Sequence, residues 1–169
     1  TTIGASGTLD IQGVNYSTTE GLTVNGGTIK TSTGTSTFAG AISLGATSTV
    51  DVGGTQLTLS GIISGTSFGI TKTSSGILIL SGTNTYTGVT TINAGTLSVG
   101  SIGNGGVAGN LGQATNTASN LVLGGGTLQY TGSTASTDRA FTITNSTTGT
   151  FDVSTSGTDL TISGASAST

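Results

Sequence analysis

Six acidic side chains are the residues of this 169-residue chain whose type could support acid–base chemistry: Asp10, Glu20, Asp51, Asp138, Asp152 and Asp159. Paired carboxylates flanking the scissile bond are what glycosidases use, so a polysaccharide-processing enzyme would need two or three of them to converge. Three of the aspartates instead stand between apolar residues, in LDI, VDV and FDV. That alternation puts each aspartate on the solvent side of a strand. We therefore expect isolated, solvated carboxylates and no catalytic site.

Other chemistry-bearing residues are scarce. The chain has no histidine and no cysteine, and its three cations are Lys30, Lys72 and Arg139. The usual nucleophile–base pairs, a thiolate metal site and a disulfide framework cannot be built from this set, so we expect no enzyme activity, no cofactor and no metal. With a net charge of −3 there is no basic stripe for phosphates, which argues against a nucleic-acid partner. We also expect no membrane insertion, because no apolar run reaches the length of a span.

One phrase, GNGGVA at residues 103–108, fits the weak dinucleotide-binding pattern G-x-G-x-x-A. That pattern binds phosphate only between a buried strand and a helix, and no helical periodicity follows it here. We interpret residues 101–117 as a Gly/Asn-rich loop that leaves the main structure. Asp138-Arg139 is expected to be a surface ion pair or turn.

The elements that must carry these residues are short strands. Apolar residues occur in pairs separated by one polar residue, which is the period of a half-buried strand, and clusters of Gly, Ser, Thr and Asn between them are turn chemistry. Helical spacing is absent. The sequence therefore predicts an all-β fold.

The spacing of the strands favours a solenoid over a sandwich or a barrel. Leu9, Ile29, Val50, Ile70 and Ile92 recur at intervals of about 20 residues, the length of one solenoid coil. Similar phrases also recur, as expected if each strand stacks on its like: GTLDI at 7–11, GGTIK at 26–30, AGTLSV at 94–99, GGTLQY at 125–130 and TGTFDV at 148–153. We predict roughly seven or eight coils in a rod about 35 Å long. On this spacing the three isolated aspartates lie many coils apart.

Inward and outward positions follow from the alternation. We predict a structural core that includes Leu78, Leu80, Ile92, Leu97 and Val99. Stacked polar residues can bond along a column of coils, and Asn84 and Asn93 are the candidates for such internal rows.

Residues 57–100 carry a family resemblance. Their sequence, LTLSGIISGTSFGITKTSSGILILSGTNTYTGVTTINAGTLSVG, resembles the autotransporter-associated β-strand repeat, also called the passenger-associated transport repeat. The positions that fit the repeat are Lys72, Gly76, Leu78, Leu80, Ser81, Gly82, Asn84, Tyr86, Gly88, Thr90, Gly95, Leu97 and Val99. Residues 118–143 are similar to the segment that commonly follows it.

The resemblance implies a right-handed parallel β-helix in a large exported bacterial protein, either an autotransporter passenger or an adhesin-like surface protein, located at the cell surface or outside the cell. It implies secretion and folding roles for the repeat, without catalysis. We divide the single solenoid segment 1–169 into degenerate coils (1–56), the best-matching repeat (57–100), the loop (101–117) and further coils (118–169). We expect the chain to be a piece of a longer exported protein.

The chain departs from the family pattern at Ile77 and Ile79, which stand where outward threonines are usual. These isoleucines are candidates for a self-association surface or for a spot that the 101–117 loop covers. We predict a rigid stalk or adhesive fibre that associates end to end or laterally, with host or matrix glycans or proteins as possible partners. The alternatives are a polysaccharide-processing enzyme, which requires clustered carboxylates, and a glycan-binding module, which requires exposed aromatics.

Overall fold

The computed structural model describes residues 1–168 as short strands and one 3-10 helix, η1 (Ala118–Asn120). None of the helical structure in this range is long and apolar enough to cross a membrane. The first strands are β1 (Thr2–Ile3), β2 (Thr8–Asp10), β3 (Asn15–Tyr16), β4 (Leu22–Asn25), β5 (Thr28–Thr31), β6 (Thr35–Phe38), β7 (Ile42–Ala46), β8 (Ser48–Val52), β9 (Gln56–Leu59) and β10 (Ile63–Ser64). The remainder are β11 (Ile70–Thr73), β12 (Ile77–Leu80), β13 (Thr90–Ile92), β14 (Thr96–Val99), β15 (Leu121–Leu123), β16 (Thr127–Tyr130), β17 (Ala135–Thr137), β18 (Phe141–Ile143), β19 (Thr150–Val153), β20 (Leu160–Ile162) and β21 (Ser166–Ser168).

These strands stack into long parallel sheets, which confirms the predicted all-β solenoid. One sheet has eight strands in the order β2-β5-β8-β11-β13-β15-β18-β21, and a second has seven in the order β19-β16-β14-β12-β9-β6-β3. We call them sheet B and sheet C. The chain makes about eight turns of roughly 21 residues, so the stack is about 38 Å long at about 4.8 Å per turn.

A third face closes each coil. It begins as the four-stranded sheet β1-β4-β7-β10, which we call sheet A, and ends as the pair β17-β20. Between them lie two irregular segments, residues 82–88 and 101–117. They stack on each other through a bridge in which the N–H groups of Asn84 and Gly109 each donate to the other's carbonyl, at 3.0 and 3.2 Å.

The core consists of columns of aliphatic side chains between the three faces. In sheet C, Leu57, Leu78, Leu97 and Leu128 are paired along one such column, and each is no more than 1% exposed. The five residues that the sequence nominates for the core, Leu78, Leu80, Ile92, Leu97 and Val99, have no exposed surface. Each coil therefore buries its apolar residues only against its two neighbours, as in other repeat proteins.

Two details of the predicted repeat are wrong. The column through Leu9, Ile29 and Val50 continues with Lys72, because Lys72 pairs with Val50 on one side and Ile92 on the other. Ile70 lies two residues earlier on the strand, opposite Ser48 and Thr90. An apolar period cannot locate an inward lysine.

The recurring GTL-like phrases do not all stack on one another either. Those at 7–11 and 26–30 lie in sheet B, whereas those at 94–99, 125–130 and 148–153 lie in sheet C. The phrase marks a turn followed by a strand, and the solenoid uses that combination at more than one corner.

Candidate functional site

The predicted separation of Asp10 from Asp51 is wrong. Both lie in sheet B, where Asp10 pairs with Lys30 and Lys30 pairs with Asp51, so one lysine separates them. The Nζ atom of Lys30 is 3.6 Å from Oδ2 of Asp51. Asp10 accepts hydrogen bonds from Gln12 at 2.9 Å and from the N–H of Ser32 at 3.0 Å, and the Gln12 bond is the main cause of its lowered pKa. Asp10, Lys30 and Asp51 therefore form a row of alternating charges on the outer surface of sheet B.

The other carboxylates occupy separate places. Asp152 is half-buried on sheet C, where it accepts from Gln129 at 2.9 Å, and Glu20 accepts from the hydroxyl of Tyr16 at 2.7 Å. Asp138 lies beside the 101–117 segment, and Asp159 is exposed next to β20. Within residues 1–168, no group of three or more acidic, histidine or cysteine side chains could hold a metal ion. Asp10 and Asp51 thus share one outer surface with Lys30 between them, and Asp10 and Glu20 both contribute to the lining of one cavity at the end of the first coil.

An apolar cavity of about 250 Å³ opens at the end of the first coil. Its lining includes Leu9, Val14, Tyr16 and Phe38, and the Tyr16 and Phe38 rings stack in parallel with centroids 5.3 Å apart. Val14 is 50% exposed there. Because β1, β2 and β3 are terminal strands of their sheets, backbone groups along one edge of each face the same opening. This end of the solenoid can accept further strands.

Lys72 is the first of three buried residues whose polar side chains link separate parts of the chain. Its side chain is fully buried, and its ammonium donates to the carbonyls of Thr73 and Ser74 at 2.7 Å and of Ala94 at 3.3 Å. Ala94 belongs to the following coil, so the lysine ties two corners together. Removal from water lowers the pKa of Lys72 to about 8.

Asn84 is the second buried polar residue, and it lies inside the third face as the sequence suggests. Its Oδ1 accepts from the N–H of Ile63 at 2.8 Å, and its Nδ2 donates to the carbonyl of Asn110 at 2.8 Å. Asn110 is also buried and donates from Nδ2 to the carbonyl of Gly82 at 3.0 Å. Asn84 therefore links three successive coils. The parallel expectation for Asn93 is wrong, because that residue is exposed at a corner.

Changing Asn84 to aspartate should lower the free energy of unfolding by about 2 kcal/mol, whereas Asn93→Asp should change it by less than about 0.5 kcal/mol. The carboxylate of the first variant would still accept from Ile63, but it would place a second oxygen against the Asn110 carbonyl. Urea denaturation of both variants measures the difference. Equal stabilities would show that the internal asparagine bonds contribute nothing.

Arg139 is the third buried polar residue, and the expectation of a surface ion pair is wrong. It is only 4% exposed and donates to four carbonyls of the 101–117 segment. Nε donates to Gly103 at 2.9 Å, Nη1 to Ala114 at 3.4 Å, and Nη2 to Gly112 at 2.8 Å and Val107 at 3.4 Å. The planar guanidinium thus holds both arms of the segment, a geometry that a lysine cannot supply. Nothing in the local sequence distinguishes this arginine from an exposed one.

The 101–117 segment fills a position in the third face. Besides its contacts with Arg139 and Asn84, the segment donates from the N–H of Gln113 to the carbonyl of Tyr86 at 2.7 Å. These hydrogen bonds direct the segment towards the third face. Ile77 and Ile79 lie elsewhere, half-buried on the outer side of sheet C between the strands that contain Gln56 and Thr96.

Stacked parallel strands, aliphatic columns and an internal asparagine link define a β-solenoid repeat protein. Residues 70–99 match the family model described as the passenger-associated-transport-repeat, so the chain carries this repeat, as the sequence indicates. The chain is also similar to the adhesin BmaC autotransporter of Brucella suis biovar 1 (strain 1330), with 38% identity over 144 residues. The match covers 85% of this chain and 4% of that relative, so the chain spans a small part of the relative's length. No solved structure matches the chain.

The repeat and the relative together identify the chain as a structural β-helical segment of a surface protein. They place it at the cell surface or outside the cell.

Proposed function

We propose that this chain is a rigid, non-catalytic stalk or adhesive fibre segment whose solenoid ends associate with further coils. The observation that carries the proposal is the continuity of sheet B, which runs through eight parallel strands from β2 to β21. A solenoid of this kind grows longer by adding coils, because each coil packs on its neighbours and needs no separate core. The adhesin relative supports a role in attachment, with glycans or proteins of a host or matrix as binding partners.

The absence of catalysis is supported by the separate placement of the carboxylates. Asp10 and Asp51 lie on either side of a lysine. Asp10 and Glu20 line the same cavity, but each carboxylate accepts a hydrogen bond from a neighbouring side chain, and Asp138, Asp152 and Asp159 lie elsewhere. A polysaccharide-processing enzyme needs two carboxyl groups that flank one bond. No observation favours that alternative.

The ends of the solenoid are the proposed association surfaces. The first coil offers three terminal strands around the apolar cavity, and the opposite end offers the outer edges of β19, β20 and β21. Parallel strands can add at such edges through backbone hydrogen bonds. The isoleucine pair on sheet C is a weaker candidate, because neighbouring strands already cover part of both side chains.

Val14→Asp should abolish concentration-dependent association in sedimentation velocity, since it places a charge at the mouth of the cavity beside Glu20. Val107→Asp is the matched control. Val107 is 54% exposed, compared with 50% for Val14, and belongs to the 101–117 segment. The double change Ile77→Thr/Ile79→Thr should leave association intact. A wild-type chain that stays monomeric at every concentration contradicts self-association. If only the double variant loses association, the chains associate laterally, through the surface that contains Ile77 and Ile79.

A further inference from the structure

The Asn104-Gly105 pair within GNGGVA is hydrogen-bonded to both the side chain and the backbone of Asp138. The N–H of Gly105 donates to Oδ1 of Asp138 at 2.8 Å, and the N–H of Asp138 donates to Oδ1 of Asn104 at 3.1 Å. The second carboxylate oxygen of Asp138 accepts from Nδ2 of Asn116 at 3.2 Å. Asn104 itself is exposed, so water reaches its amide.

An asparagine followed by glycine can react with its own backbone. The amide nitrogen of the next residue attacks the side-chain carbonyl carbon and closes a five-membered succinimide ring, and glycine has no Cβ to obstruct the approach. The step needs a base for the proton on the attacking nitrogen. It is also helped by a donor to the carbonyl oxygen, which gains negative charge as the ring closes.

Asp138 is placed to supply both functions. Its carboxylate is within proton-transfer distance of the Gly105 nitrogen, and its own N–H points at the oxygen that becomes charged. Glycine is also required at this position by packing, because a Cβ on Gly105 would collide with the backbone nitrogen of Asn116. The fold therefore holds the reactive dipeptide, a base and an oxyanion donor together.

We propose that Asn104-Gly105 is a self-modification site at which Asp138 promotes succinimide formation and deamidation. Oδ1 of Asp138 takes the proton of the Gly105 amide, and the nitrogen forms a bond to Cγ of Asn104. The Cγ–Nδ2 bond then breaks, and Nδ2 leaves as ammonia with the transferred proton. Water opens the ring at one of its two carbonyls and yields aspartate or isoaspartate at position 104.

The product changes the contacts of the 101–117 segment. A new carboxylate at position 104 lies next to that of Asp138, and like charges at this distance repel. Isoaspartate also lengthens the backbone between residues 104 and 105 by a methylene. The contacts of residues 104 and 105 with Asp138 are weakened, while Asn116 still donates to the second carboxylate oxygen and the guanidinium of Arg139 still binds the carbonyls of the segment.

The sequence contains an internal control, the pair Asn25-Gly26. Asn25 is exposed as well, but the N–H of Gly26 donates to the hydroxyl of Ser48 at 3.3 Å, and a hydroxyl is a far weaker base than a carboxylate. The two pairs share their chemistry but differ in the group that faces the attacking nitrogen and in backbone setting, since Asn25 ends β4 in sheet A; the Asp138→Asn variant is therefore the comparison that isolates the carboxylate.

The test is to incubate the purified chain at neutral pH and to quantify aspartate and isoaspartate at positions 25 and 104 by peptide mapping. In the native chain, position 104 should be modified at least about tenfold faster than position 25, and Asp138→Asn should abolish that excess without changing the rate at position 25. Native rates that are equal at the two positions, or an undiminished rate at position 104 in the variant, overturn the proposal.

A second comparison needs no variant and guards against misfolding of Asp138→Asn. In urea the two pairs should react at similar rates, and the native rate at position 104 should exceed its denatured rate. A native rate below the denatured rate would mean that Asp138 protects the amide, which overturns the proposal as well.

Discussion

Replacing Arg139 with methionine should lower the free energy of unfolding by about 4 kcal/mol and expose the 101–117 segment to proteases. Methionine fills a similar volume but donates no hydrogen bond, so four carbonyls of the segment lose a charged donor. Gly103 and Ala114 still accept from the Thr137 hydroxyl and the Gly106 N–H, whereas the carbonyls of Gly112 and Val107 lose the guanidinium donor. A buried carbonyl without a donor costs about 1–3 kcal/mol, and partial hydration of the loosened segment recovers some of that. Urea denaturation measures the loss, and limited proteolysis with mass spectrometry locates the first cleavage.

Two further variants separate geometry from charge in this prediction. Arg139→Lys keeps the charge but cannot reach both arms of the segment, so it should recover less than half of the lost stability. Lys30→Met removes a cation from a partly exposed ion pair and should cost less than about 1 kcal/mol. If Arg139→Met stays within about 1 kcal/mol of the wild type and resists proteolysis, the arginine does not hold the segment.

Lys72→Met should lower the free energy of unfolding by about 2–3 kcal/mol at pH 7. The methionine side chain fits the same aliphatic column, but the corner carbonyls of Thr73, Ser74 and Ala94 lose their donor. Lys30→Met again provides the control, because both lysines lie in sheet B but the Lys30 side chain is 35% exposed and that of Lys72 is buried. A difference between the two variants smaller than about 1 kcal/mol would contradict the structural role of Lys72.

The pH dependence of stability gives an independent measurement on Lys72. The pKa of Lys72 is about 8 in the folded chain, and its unperturbed value of 10.5 applies to the unfolded chain. Between pH 8 and pH 10.5 the unfolded chain therefore binds more protons than the folded chain. Stability therefore rises with pH in this window, by about 2 kcal/mol between pH 8 and pH 10. The rise should be missing from Lys72→Met, so its deficit relative to the wild type widens over the same range.

Tyr86 sets the upper limit of that rise. Burial raises its pKa to about 12 from 10.0, although its hydroxyl shares a 2.7 Å hydrogen bond with Thr90. Between these values the folded chain binds more protons, so stability falls as the pH increases above 10. The wild type should be most stable near pH 10, and Tyr86→Phe should remove the fall above it. A flat profile from pH 8 to 12 in the wild type would contradict both assignments.

The sequence predicts the fold well because the apolar period is regular. Alternating leucines and valines specify inward and outward positions, and turn residues at similar intervals specify the coils. Asn84 was also predictable, since an asparagine within a repeat phrase can bond from coil to coil. These features depend on local spacing, which a single sequence records.

The buried polar residues could not be predicted in the same way. Lys72 and Arg139 look like surface cations, because charged side chains are seldom fully buried. All four carbonyls that Arg139 binds lie 25 to 36 residues earlier in the chain, and one of the three that Lys72 binds, that of Ala94, lies 22 residues later. The environment of Asn104-Gly105 is likewise set by Asp138, 34 residues later. Contacts between residues so far apart in the sequence can be seen only in the folded structure, where the coils are stacked.

Lys72 also acts on the alignment between neighbouring coils. The outward faces of many strands are Thr- and Ser-rich, so sliding one strand by two residues along its neighbour would keep inward residues inward and would alter few outward contacts. Such a slip would move the Lys72 ammonium away from the Ala94 carbonyl of the following coil, while the carbonyls of Thr73 and Ser74 would move with it. The hydrogen bond from Lys72 to Ala94 is thereby one contact that favours a single register in a sequence whose outward faces tolerate slippage.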